Sequence, residues 1–276
     1  MSTPISVQLF SIRDDCSRDL EGTLTQLKEF GYDGVEPYSL HGYTAKEFKD
    51  ILDRVGLKCT SFHTGLEVYL NEGIEKTCEE RILLGCEVVA FPYLIGGYRP
   101  GEEHYQTALE YFEKIAAIYG AEGIDLLFHN HEGDAYPLTA ESKKGMMFNL
   151  FDETPIKPEA DTAWLLAAGI DPVEFFKQYE TPAIHIKDFS YIGRVPERVI
   201  KAVGRACPWK DDDDSPSEFQ FRTLGQGLHD IPRTVLAAIE TGKCRHIIVE
   251  QDNPTPGKTA IECAKMNVEF LRTFIK

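Results

Sequence analysis

The sequence predicts an α/β protein built as a single (β/α)8 TIM barrel, and three observations predict it. Eight short runs rich in apolar and β-branched residues recur along the 276-residue chain. Segments of helical period separate them, and no Pro/Gly/Ser-rich linker divides the chain, whose length suits a barrel of about 250 residues. The first strand, 5–10, contains Gln8. It is followed by a helix over 19–30, where Leu20, Leu24, Leu27 and Phe30 repeat at three-four spacing and form one apolar stripe. Strand two, 33–37, carries Glu36 and leads to a helix over 45–55; strand three, 58–63, ends in His63 and leads to a helix over 73–84. Strand four, 87–92, ends in the apolar Phe91 and Pro92, before a helix over 102–118. Strand five, 124–129, runs into His129-Asn130-His131-Glu132, and strand six, 156–161, ends in Asp161. After a helix over 172–179 comes strand seven, 183–187, with His185 and Lys187. A loop insertion occupies about 190–228; a helix over 231–239, strand eight at 247–250 with Glu250-Gln251-Asp252 behind it, and a helix over 259–274 complete the chain. Residues 1–276 are thus expected to form one domain.

Charge narrows the function. The 29 Lys and Arg stand against 45 Asp and Glu, a net charge of −16, which repels phosphodiester backbones and anionic membranes. No nucleic-acid or membrane partner is expected. No stretch has the roughly 18 consecutive apolar residues that a bilayer span needs, and Met1 to Phe10 lacks the basic and apolar regions of a secretory signal. The seven cysteines are scattered without a C-x-x-C pair. A cytoplasmic protein with reduced thiols is therefore expected, as a monomer or homo-dimer. The run Asp211 to Asp214 lacks the Gly and terminal Glu of a calcium loop and reads as a solvated loop tip.

In a barrel of this kind chemistry sits at the carboxyl ends of the strands. Here seven of the eight strands end in polar residues: Gln8, Glu36, His63, His129 with Asn130 and His131, Asp161, His185 with Lys187, and Glu250. So many carboxylates and imidazoles converging on one mouth call for a cation or a hydrogen-bonded substrate. Mixed carboxylate and imidazole donors suit a divalent ion of the Mn, Mg, Co, Fe or Zn kind. Because strand side chains alternate, His129 and His131 share a direction, as do His185 and Lys187; either histidine of the first pair can face the barrel axis.

Six segments together resemble the xylose-isomerase-like barrels of the sugar phosphate isomerase/epimerase family. They are Gly34-Val35-Glu36, Phe128-His129-Asn130-His131-Glu132, Asp161-Thr162-Ala163-Trp164 leading to Ala168-Gly169-Ile170-Asp171-Pro172, His185-Ile186-Lys187-Asp188, Leu224-Gly225-Gln226-Gly227 and Val249-Glu250-Gln251-Asp252. The resemblance implies a divalent metal held by His129, Asp161, His185 and Glu250, acting on a small sugar, keto-sugar or polyol. It implies an isomerase or epimerase working through an enediolate formed by proton abstraction next to a carbonyl. Two departures bear on this. His129 stands where relatives place Glu, which brings the chain closer to inosose dehydratase and the lyases of 3-keto sugars, so a dehydratase or lyase is the alternative. Gln226 stands where relatives commonly place Glu. A sugar-binding barrel without catalysis is the alternative of another class. Glu250 is the first candidate base. His131, His63 and Glu36 are further acid-base candidates, Lys187 is a candidate donor to a developing oxyanion, and Trp164, Gln8 and Asn130 are candidate substrate contacts.

Overall fold

The computed structural model describes residues 3–138, 143–204 and 217–275. The strands follow in order as β1 (Ile5–Gln8), β2 (Gly34–Glu36), β3 (Lys58–Cys59), β4 (Val88–Phe91), β5 (Asp125–His129), β6 (Lys157–Asp161) and β7 (Ala183–Ile186). An antiparallel pair, β8 (Asp188–Ile192) and β9 (Glu218–Arg222), precedes the last strand, β10 (His246–Val249). Eight strands form a parallel sheet in the order β3-β2-β1-β10-β7-β6-β5-β4. The sheet curls until its two outer strands meet. Across that seam the Ala90 N–H donates to the Phe62 carbonyl at 3.0 Å, and the Thr64 N–H donates to the Ala90 carbonyl at 2.9 Å. Regular pairing in β3 stops at Cys59 rather than reaching His63, but the Thr60 and His63 N–H groups still bond back to Val35 and Pro37. The result is a (β/α)8 barrel.

Helices cover the outside because their stripes and caps suit that position. Leu20, Leu24 and Leu27 of the helix Leu20–Phe30 are buried; Asp19 caps its start by accepting from the Gly22 N–H, and Gly31 ends it with φ 102°. The helices Ala45–Val55 and Ala260–Arg272 both open with a capping box, from Thr44 with Glu47 and Thr259 with Glu262. No helix among the described residues is long and apolar enough to cross a membrane. The six described cysteines are buried and free. Cys207 and the run Asp211 to Asp214 lie outside the described residues.

Strand alternation divides the barrel interior into layers. Val88, Ala90, Leu127, Ala183 and Ile248 form a small apolar cluster of their own. Two residues further along three of those strands stand His129, His185 and Glu250, so the polar layer rests on an apolar floor.

The insertion expected as a loop carries the ribbon β8/β9 and the helix Glu197–Val203. Phe189, Tyr191, Val195, Val199 and Leu228 give it a separate apolar cluster, against which Phe219 packs. Asp188 anchors its base by accepting from the N–H groups of Phe189, Gly225, Gly227 and His229 at 2.8–3.1 Å. This explains the second glycine of Leu224-Gly225-Gln226-Gly227: a Cβ on Gly227 would lie 2.2 Å from Asp188 Oδ1 and 2.3 Å from the Phe189 carbonyl. Gly227→Ala is expected to destabilise the fold by about 1–3 kcal/mol, read by denaturant unfolding; an unchanged midpoint would mean that the turn moves freely.

Candidate active site

The polar layer is set by register. Asp161 pairs with His185 across β6 and β7, and His129 pairs with Glu159 across β5 and β6. One donor atom each from His129, Asp161, His185 and Glu250 lies within 4.8 Å of the others, and all four residues are buried. His185 Nδ1 is 2.8 Å from Glu250 Oε2, while His129 Nε2 is 3.8 Å from Asp161 Oδ2 and 3.9 Å from Glu250 Oε2.

Lys187 enters the same space. Its Nζ lies 2.7 Å from Glu250 Oε2, 3.0 Å from Asp161 Oδ2 and 3.4 Å from Asp252 Oδ2. Burial alone would strip its proton, but these three carboxylates outweigh burial and raise its pKa above the ordinary lysine value. Lys187 is therefore a fixed cation and hydrogen-bond donor. Burial would also raise Glu250, yet Lys187 and His185 hold its carboxyl well below the usual range. Asp188, next in sequence, faces the other way into the Gly225 to His229 turn.

Glu159 was not singled out from the sequence, yet it lies at the centre of the cluster. Its Oε2 is 2.8 Å from His63 Nε2, 3.2 Å from His185 Nε2 and 3.6 Å from His129 Nδ1. Glu36 Oε1 accepts from Gln8 Nε2 at 2.7 Å and lies 3.1 Å from His63 Nε2 and 2.8 Å from His185 Nε2. Burial opposes charge on His63 and His185, but the surrounding carboxylates raise both, His185 strongly. His129 is held well below its ordinary value by burial and by His185.

A cavity of about 580 Å³ opens beside this layer, with His63, His129, His131, Glu250 and Asp252 on its polar wall and Phe10, Tyr38, Phe62 and Tyr93 on its aromatic one. Gln8, Asn130 and Trp164 are not among its lining residues. Gln8 holds Glu36, and its Oε1 accepts from the Phe10 N–H at 3.0 Å. The Asn130 amide accepts from the Asp161 N–H at 2.9 Å and donates to the Asp161 carbonyl at 3.4 Å, fixing β6 against β5. Trp164 stacks on Phe219 of the ribbon at 4.9 Å between ring centroids. Gln226 is exposed. Of the acid-base candidates, Glu36 is fully buried beneath the cavity, whereas the His131 side chain is half exposed.

The donors suit a divalent ion. Two imidazoles and two carboxylates converge, His129 turns Nε2 toward Asp161 and Glu250, and Asp161 Oδ2 is buried with the Lys187 ion pair but no aligned hydrogen bond. Without an ion, the cluster gives a pH signature. His63 and His185, raised above the ordinary 6.5, stabilise the fold below that pH and lose this as pH rises through their folded values. Glu159 and Glu250, held below 4.5, stabilise it above that pH and lose this as pH falls through theirs. The contribution of these four groups to the stability of metal-free protein is therefore expected to be largest between about pH 4.5 and 6.5. Unfolding free energies measured across pH test this, and a flat profile would show that the imidazoles and carboxylates titrate normally.

Comparison with known proteins agrees with this architecture. An inosose dehydratase from Clostridium perfringens is 30% identical over 99 residues, which is 35% of this chain and 33% of that protein. The match thus spans about a third of the curated relative. A sugar phosphate isomerase/epimerase from Parabacteroides distasonis superposes with a TM-score of 0.71 at 21% identity, over 100% of this chain and 96% of its own. A xylose isomerase-like TIM barrel protein from Mycobacterium smegmatis, solved in complex with magnesium, gives 0.66 at 16% identity, over 98% and 95% of the two chains. At such identities the structures establish the fold. The sequence model of the xylose isomerase-like TIM barrel family matches residues 24–274, from the first covering helix to the end of the last, and the chain belongs to that family.

Proposed function

We propose that the protein is a divalent-metal-dependent isomerase or epimerase of an uncharged sugar, keto-sugar or polyol, with proton removal next to a carbonyl as its central step. The observation that carries this reading is the convergence of His129, Asp161, His185 and Glu250 beside a cavity that Glu250 and His131 line. The magnesium bound by the Mycobacterium smegmatis relative and the isomerase and dehydratase relatives support it. The acidic walls support an uncharged substrate. Glu67, Glu72, Glu80, Glu250 and Asp252 outnumber Arg81, whose guanidinium is already engaged with Thr64 and Glu80; a phosphate would meet repulsion.

A divalent ion held by His129, Asp161, His185 and Glu250 would supply a Lewis acid that lowers the cost of an enediolate. Glu250, kept deprotonated by Lys187, takes the substrate proton. His131 lies just after β5, with β6 and β7 between it and β10, so it can return a proton from the opposite wall, to the same carbon in epimerisation or to the neighbouring carbon in isomerisation. Lys187 supplies a fixed positive charge near the oxygen where charge develops. Elimination of a β-hydroxyl from the same enediolate is the second reading, favoured by the stretch shared with inosose dehydratase.

Elemental analysis of protein purified without chelator, set beside an Asp161→Ala, His185→Ala double variant, tests the site. Near-stoichiometric metal lost in the variant is expected. Ketoses and inososes incubated in D2O then separate the outcomes: carbon-bound deuterium in an isomer supports isomerisation, and loss of water supports elimination. Ligand binding without exchange would identify a non-catalytic sugar-binding barrel.

A further inference from the structure

Beneath the four residues assigned above lies a second ring of donors that the proposed mechanism does not use. Glu36 Oε1, His63 Nε2, Glu159 Oε2 and His185 Nε2 stand in a closed quadrilateral with edges of 3.1, 2.8, 3.2 and 2.8 Å. All four side chains are more than nine-tenths buried. Donors sharing one ion at about 2.1 Å stand roughly 3.0 to 3.4 Å apart, close to these edges. Hydrogen bonding accounts for only part of the ring. His185 Nε2 has no aligned hydrogen bond although it lies 2.8 Å from Glu36 Oε1 and 3.2 Å from Glu159 Oε2, and the second oxygen of Glu36, Oε2, is also buried without a partner. Charge points the same way. Asp161, Glu250 and Asp252 face the Lys187 ammonium, whereas the charged partners of Glu36 and Glu159 are the imidazoles of this ring. A divalent ion in the ring would meet carboxylates that no ammonium balances.

We infer that Glu36, His63, Glu159 and His185 form a second divalent-cation site, deeper in the barrel than the first and joined to it through the His185 ring. Two nitrogens and two carboxylate oxygens select a borderline ion such as Zn²⁺ or Mn²⁺. His185 Nδ1 faces Glu250 and its Nε2 faces Glu36 and Glu159. When both ions are bound, the ring serves them as an imidazolate, and its last proton leaves to solvent. The deeper ion lies beneath the cavity, reaching it only through His63, and so anchors the first site rather than touching substrate.

The inference adds to the site proposed above, and ion counting separates the two. Equilibrium dialysis of the purified chain against Mn²⁺ and Zn²⁺ is expected to give two ions per chain. A Glu36→Gln, His63→Gln double variant should keep one, and Asp161→Asn should also keep one. One ion in the wild type, lost in Asp161→Asn and kept in the double variant, would overturn the deeper site and leave the first standing. One ion lost only in the double variant would support the deeper site and overturn the first. No ion in any protein would overturn both, and the ring would then be two protonated imidazoles shared between carboxylates. Because the double variant can unfold, electron paramagnetic resonance of the wild type with two equivalents of Mn²⁺ gives a second test. Magnetically coupled ions are expected, and two independent single-ion spectra would overturn the shared His185 ring.

Discussion

Glu250→Gln is expected to lower turnover about 100- to 10,000-fold while the barrel keeps its fold, because the change removes a base and leaves a side chain of the same shape. The carboxylate touches every part of the proposed mechanism. Its Oε2 is 2.8 Å from His185 Nδ1 and 2.7 Å from Lys187 Nζ, and the residue lines the cavity. An amide oxygen can still accept from Lys187, so stability should fall far less than activity. Metal content decides what the lost activity means. Retained metal with lost turnover assigns the proton transfer to Glu250, whereas metal and turnover lost together make it a ligand first. Near-normal turnover would sink its role as base and move that role to His131, whose exposed ring is the next group on the cavity wall.

Parity made most of this layer legible from sequence. A buried strand sends every second side chain inward, so a polar residue at the end of an apolar run, such as His129, His185 or Glu250, announces the barrel mouth. The same rule contained the residue that reading only strand ends missed. Glu159 stands two positions before Asp161 and so faces the same way, and a carboxylate inside a buried strand is itself a signal, because Glu is almost never fully buried unless paired. The ribbon was hidden for another reason. Phe189 and Tyr191, and then Phe219 and Phe221, alternate as strands should, but the Asp-rich stretch between them made the whole segment read as a loop. Asn130 and Gln8 show where residue type misleads: both sit at strand ends, and both have their amides fixed by neighbouring protein groups. Which polar side chains are already satisfied depends on contacts between strands far apart in sequence, and no pattern within one strand encodes that.

Lys187→Met should cost about 3–5 kcal/mol of folding free energy, the range for removing one partner of a buried charge pair. The side chain is 1% exposed and its ammonium faces Asp161, Glu250 and Asp252. Methionine fills similar volume, so the loss comes from uncompensated carboxylates rather than from a void. Those carboxylates can recover by taking up protons, which predicts that the variant's deficit shrinks as pH falls, whereas the cost of a packing defect does not change with pH. They can also recover by binding an ion. Mn²⁺ at about one hundred times its dissociation constant should return roughly 2.7 kcal/mol to the variant. Denaturant unfolding of wild type and variant, at two pH values and with and without Mn²⁺, separates these cases. A deficit unchanged by acid would show that Lys187 acts through packing, and the carboxylate ring would no longer account for its burial; Mn²⁺ narrows the deficit by as much as the variant binds it more tightly than wild type does.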